Sequence, residues 1–210
     1  MTPLSPEAVE ALFTRADGTF LFARWGRPIA PVLFGVEDPT IATFKGALEA
    51  LCLLTGHEMA ETDPELGANL MVFFVRDWSE LTATPNLDRL IPELGALVGR
   101  LEAAGANQYR IFRFQADGAI LACFAFLRMD AELSAVPAET LALNQSVQAM
   151  LLWSDTAFAE RSPLALASGH AVLRPDIADL MRAAYDPAVP AMSQDPATAL
   201  RLAARLGRSQ

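Results

Sequence analysis

Lysine is almost missing from this chain: Lys45 is the single lysine among sixteen basic residues, which face 25 acidic ones for a net charge of −9. No basic run interleaved with aromatics is present to track a phosphate backbone, so nucleic acid is not an expected partner. Histidine is nearly as scarce. With His57 and His170 alone, a His-rich zinc site or a Ser/Cys-His-Asp relay has almost no raw material. The two cysteines, Cys52 and Cys123, are far from any metal-ligand spacing and sit inside apolar segments. They read as buried core thiols, with a disulfide as the alternative. Gly95, Gly99 and Gly105 are separated by helical sequence and form no G-x-G-x-x-G loop after a strand, so no nucleotide and no other cofactor is implied. Long apolar runs are missing too. Ala119–Leu127 is among the longest and falls well short of the roughly twenty residues of a membrane-spanning helix. Met1–Glu10 lacks a basic and then apolar leader pattern, as expected for a cytoplasmic chain or for one whose leader has been removed.

What is present suits a sizeable core. At 210 residues and 52% hydrophobic, without repeats or low-complexity tracts, residues 1–210 are expected to form one domain, with 1–136 mainly sheet plus two helices and 137–210 mainly helical. Ser5 and Pro6 open a short helix running to Thr14. Ile29–Phe34 reads as a first strand. Asp38 and Pro39 then open a helix that stops at Gly56. His57–Asp63 reads as a strand, Pro64–Gly67 as a turn, and the continuous apolar run Ala68–Val75 as a central strand covered on both faces. One helix is expected between Asn86 and Ala104, with Pro92 and Gly95 bearing on where its boundaries fall. Tyr109–Phe114 and Ala119–Leu127 flank Ala116-Asp117-Gly118, a hairpin signal. After an irregular stretch from Thr156 to Ala171, helices are expected over Pro175–Tyr185 and after Ser193.

The stretch that organises the chain is Pro137–Asp155. Leu143, Val147, Met150 and Leu151 recur on one helical face, while Leu141 and Leu152 fall on the other side. Between these arcs a helix through Asp155 places Asn144, Gln148 and Asp155 on one line. Such a polar stripe is either a hydrogen-bonded seam in a core or the floor of a cleft. Trp153, just beyond, is a core or cleft-rim aromatic able to stack on a ligand.

The order Asn144-Gln145-x-x-Gln148-x-x-Leu151-x-x-Ser154-Asp155 has the register of the metzincin zinc motif H-E-x-x-H-x-x-G-x-x-H-D. Val172–Ile177, Leu180 and Ala184-Tyr185 are similar to the segment that follows the catalytic helix in that clan. Ser162-Pro163-Leu164 stands near the place of the Met-turn, without its methionine. With Arg24-Trp25, Pro28, Tyr185-Asp186-Pro187 and Pro190-Ala191-Met192, the chain resembles a bacterial family of zincin-like domains of unknown function. The resemblance implies an α+β fold with a mixed sheet of about four or five strands, an antiparallel hairpin near its edge and a helical C-terminal part. Position by position, Asn144, Gln148 and Ser154 would stand for the three zinc ligands and Gln145 for the general base. Neutral amides are poor zinc ligands and Gln145 cannot accept a proton as Glu can.

The function implied is a non-catalytic domain without metal or cofactor, a pseudoenzyme with a binding or structural role and an unknown protein or peptide as its partner, its vestigial cleft lined by Asn144, Gln145, Gln148, Ser154 and Asp155. The alternative is a metal-dependent hydrolase with unconventional ligands, Asp155 with His170 and a carboxylate from elsewhere. A third reading is plain packing, with Asn144 and Gln148 bonded to neighbouring backbone. His57-Glu58-Met59-Ala60-Glu61 places a histidine and a carboxylate four apart, but a strand spaces them too widely for one ion. Asp63 with Glu65, and Asp176 with Asp179, read as helix-start or solvated charges.

Overall fold

The computed structural model describes residues 3–206; residues 1–2 and 207–210, the outer ends of the two parts delimited above, lie outside the described residues. Helix α1 (Pro6–Ala11) starts on Ser5, whose hydroxyl accepts the Ala8 N–H at 3.2 Å. A short strand β1 (Phe22–Ala23) and then β2 (Pro31–Phe34) lead to α2 (Asp38–Thr55), which Gly56 ends at φ 67°. Strand β3 (Leu70–Val75) is followed by α3 (Ser79–Ala83), α4 (Leu87–Leu90) and α5 (Leu94–Ala103). The hairpin β4 (Gln108–Phe114) and β5 (Ile120–Arg128) passes through α6 (Ala131–Ser134) into α7 (Ala138–Met150). A second hairpin, β6 (Leu164–Ala167) and β7 (His170–Leu173), precedes α8 (Pro175–Ala184), β8 (Met192–Ser193) and α9 (Ala197–Ala203).

The fold is α+β around a mixed, open sheet of four strands in the order β2-β3-β5-β4, with β2, β3 and β5 parallel and β4 antiparallel at the edge. Period-2 alternation divides the core. Leu70, Val72 and Phe74 of β3 and Cys123, Ala125 and Leu127 of β5 meet Phe44 and Leu48 of α2 and Val147 and Met150 of α7 on one face. Phe73, Val75, Phe124 and Phe126 meet Trp78, Leu97 and Leu101 of the α3–α5 layer on the other. Both cysteines are buried and free, so they pack as thiols rather than as a bridge. Among the described residues no helix is long and apolar enough to cross a membrane.

Several elements differ from expectation, each for a local reason. His57–Asp63 is not a strand: Met59 makes one isolated bridge to Ile29, and the Asp63 carboxylate draws the backbone into a turn by accepting from Glu65 N and Leu66 N. The Asn86–Ala104 helix is two helices, because Ile91 is extended before Pro92 (φ −125°, ψ 94°) and Glu93 is left-handed at φ 60°. Besides α1 and α2, the N-terminal part carries the short helices α3 to α6, so two helices understate it. The irregular stretch after Thr156 contains the β6–β7 hairpin, closed by Ser168 and Gly169 at φ 52° and 83°. A two-residue turn with both φ positive is the type that matches strand twist. Finally, α7 stops at Met150, and Leu151 turns extended (φ −135°, ψ 157°) to bridge Arg24. Asp155 therefore does not share a helical face with Asn144 and Gln148.

Candidate cleft between the sheet edge and helix α7

Strand β4 pairs only with β5, and its other edge has no strand partner among the described residues. Alternation directs Gln108, Arg110 and Phe112 to the α7 side of the sheet. Across from them α7 presents Asn144 and Gln148, one helical turn apart, and the chain beyond its end supplies Leu152, Trp153, Ser154 and Asp155. Together these groups enclose a cavity of about 800 Å³, which Phe158–Glu160, Ser162 and Pro163 complete.

Asn144, Gln148, Ser154 and Asp155 thus line the cleft, although Asp155 reaches it from a loop. Asn144 and Gln148 are half-buried and bond each other, Gln148 Nε2 donating to Asn144 Oδ1 at 3.1 Å, instead of the neighbouring backbone. Both amide donors on Asn144 and the Gln148 carbonyl make no hydrogen bond among the described residues, and both side chains line the cavity. Ser154 is tied to the N-terminal segment, its N–H donating to Leu12 O at 2.9 Å. Asp155 Oδ1 accepts from Ala16 N at 3.1 Å. Gln145 is displaced from the lining: one residue along the helix turns it about 100° from Asn144, and it is buried at 1% exposure. Its Oε1 accepts from Arg110 Nη2 and its Nε2 donates to Gln108 Oε1 at 3.0 Å.

Arg110 is the group that the sequence reading missed. It lines the cavity, its Nη2 also reaches Gln108 Oε1 at 3.5 Å, and its Nε is buried without an acceptor. No carboxylate among the described residues lies within ion-pair distance of it. Burial lowers its guanidinium to about 10, a value at which it remains charged at neutral pH. Removing an ion from water costs several kcal/mol, and each hydrogen bond from a charged donor offsets roughly 1.5–3 kcal/mol. The two amide oxygens therefore hold the charge in place without neutralising it. The signal was in the sequence: an arginine on the same strand parity as Phe112.

Trp153 is half-buried, stacked on Phe13 at 5.4 Å between ring centres and edge-on to Phe158 at 5.0 Å, so the indole is packed into the rim. The histidines lie elsewhere. His57 packs against Tyr185 at 4.9 Å with Nε2 3.0 Å from Arg27 O, and burial lowers its pKa. His170 is exposed at the start of β7. Asp63 is buried among Arg27, Asn69 and backbone N–H groups rather than solvated, whereas Asp176 is the helix-start charge expected, in the first turn of α8 and clamped by Arg174. No family model, no curated protein and no solved structure matches the chain.

Proposed function

We propose that the chain is a zincin-like domain without its metal chemistry, which uses the cleft between β4 and α7 to bind a protein or peptide segment. One arrangement carries this reading. An antiparallel edge strand and the helix following its hairpin partner form opposite walls of one polar cavity. Neutral Asn144 and Gln148 occupy the helical wall where the resemblance places two zinc ligands. The donor chemistry does not fit zinc, which takes three ligands from His, Cys, Asp or Glu in a catalytic site. Among the described residues no three such side chains come together, so Asp155 with His170 and a further carboxylate lacks a cluster to rest on.

Two measurements test the reading. Protein purified without chelator and then supplied with zinc is expected to retain no stoichiometric metal by elemental analysis, and a tightly held equivalent would overturn the loss of metal chemistry. The double variant N144L/Q148M is expected to melt no higher than the parent and to bind more of a hydrophobic dye, since it places apolar groups on an open wall. A clear rise in melting temperature would instead mark the pair as a packing seam.

A further inference from the structure

Arg110 is held unlike the other buried and half-buried arginines. Arg24 gives its Nη groups to the carbonyls of Trp25 and Val189 and lies 5.6 Å from the Tyr185 ring centre. Arg27, Arg128 and Arg174 each have a carboxylate partner. Arg110 has only the amide oxygens of Gln145 and Gln108 on Nη2, while Nη1 makes no hydrogen bond among the described residues and the side chain lines the cavity. A charged fork positioned by two amides at the wall of a cavity, with one arm unpartnered, is prepared for an anionic oxygen that the described residues do not supply.

We propose that the cleft binds a carboxylate-terminated amide, such as the C-terminal end of a peptide, with the carboxylate on Arg110 and the adjoining amide on Asn144 and Gln148. The assignment rests on the binding-cleft reading above. The Asn144–Gln148 bond leaves the Asn144 amide donors and the Gln148 carbonyl unused, so the pair can both donate to and accept from a peptide group. Leu152 and Phe158 supply apolar wall for a side chain. A singly charged ligand suits the site better than a phosphate dianion, because Asp155 and Glu160 in the lining balance Arg15 and Arg110 and leave no excess of cations for a second negative charge.

The test is a titration of the ¹⁵N-labelled full chain followed by side-chain and backbone NMR shifts. The probes are a pool of N-acetylated tripeptides with free C-termini, the same pool C-terminally amidated, and sodium phosphate. The free-acid pool is expected to move the Arg110 Nε, Asn144 and Gln148 resonances, and the amidated pool to bind at least tenfold more weakly. In Arg110→Met this preference is expected to vanish. Equal binding of the two pools would overturn the carboxylate assignment while leaving a peptide-binding cleft. Stronger binding of phosphate would overturn it in favour of a dianion. Silence from all three probes would also overturn it, and the binding-cleft reading would then be judged by the N144L/Q148M melt alone. Should Arg110→Met not fold, the comparison of the two pools on the parent chain still decides.

Discussion

The Tyr185 hydroxyl, at the end of α8, donates to the Met150 carbonyl at 2.7 Å inside the core, and so fastens the last turn of α7. The final four carbonyls of a helix have no partner within it. Here Trp25 Nε1 takes Ala149 O at 2.8 Å and Trp153 Nε1 takes Val147 O at 2.9 Å, so aromatic donors from three separate places close one helix end. Removing one donor leaves a buried carbonyl unpaired. Tyr185→Phe is expected to cost about 1–3 kcal/mol, read as a lower urea midpoint at unchanged slope. An unchanged midpoint would show that the Met150 carbonyl gains nothing from the hydroxyl.

Acid should loosen the Arg27–Asp63–Asn69 cluster. Burial alone would raise the Asp63 carboxyl, but the Leu66 and Glu65 N–H groups, Arg27 and Asn69 outweigh it and hold the pKa below the ordinary range. A carboxyl depressed in the folded state adds stability above its unfolded pKa of about 3.9 and loses it as pH falls through the folded value. Melting temperature should therefore drop below about pH 4. Asp63→Asn is expected to flatten that acid limb and to cost about 1–3 kcal/mol at pH 7, because an amide NH2 would then face the donors Arg27 Nη1 and Asn69 Nδ2, although Arg27 keeps Glu65 at 2.9 Å. An acid limb of the same steepness in the variant would assign it to other carboxyls.

The two thiols give an alkaline counterpart. Burial pushes Cys52 up to about 11 and Cys123 up to about 12. A group raised in the folded state contributes fully below its unfolded value, about 8.5, and loses that contribution as pH rises toward the folded one. At pH 8 both thiols are expected to resist Ellman's reagent in the native protein and to react at once in urea. Rapid native labelling of either would contradict its burial.

Two glycines should respond oppositely to alanine. Gly35 follows β2 at φ 81°, and a Cβ there would lie 2.1 Å from the Phe74 carbonyl oxygen, an atom fixed in the sheet. Gly35→Ala is expected to cost at least about 2 kcal/mol. Gly46 is exposed within α2 with nothing within 4 Å of its added Cβ. Gly46→Ala should stabilise by roughly 0.5–1 kcal/mol. Urea titration of the two variants compares them directly, and a stable Gly35→Ala would mean that the end of β2 yields easily.

Legibility in the sequence followed the range of the forces involved. The Asp117-Gly118 turn, the Gly56 stop and the apolar run of β3 are local signals, and the elements they mark are present. The end of α7 was not legible, because Leu151 leaves the helix to pair with Arg24, a partner distant in the chain. Likewise β1 and β8 are two-residue strands that exist only through each other. The Ser168-Gly169 turn carries a signal too, a small flexible pair between the apolar runs Leu164–Ala167 and Ala171–Leu173 at which a two-residue hairpin closes. Asn144 and Gln148 were placed on one face by helical spacing alone. Arg110 needed the strand's parity combined with knowledge of which face meets α7.

The division of the core across the sheet has a consequence for how the molecule assembles. The α3–α5 side draws all its buried residues from Phe73 to Phe126, whereas the α7 side gathers residues from Val9 to Leu202. Closing short loops costs less entropy than closing long ones. The α3–α5 layer should therefore behave as an early, semi-independent cooperative unit, and native-state amide exchange should report a separate opening for it. The cleft belongs to the other side, where Asp155 is joined to Ala16 and Ser154 to Leu12. The binding proposed for the cleft should then arrive with the last chain-spanning contacts, so that capture of such a ligand would serve as a sensor of complete folding.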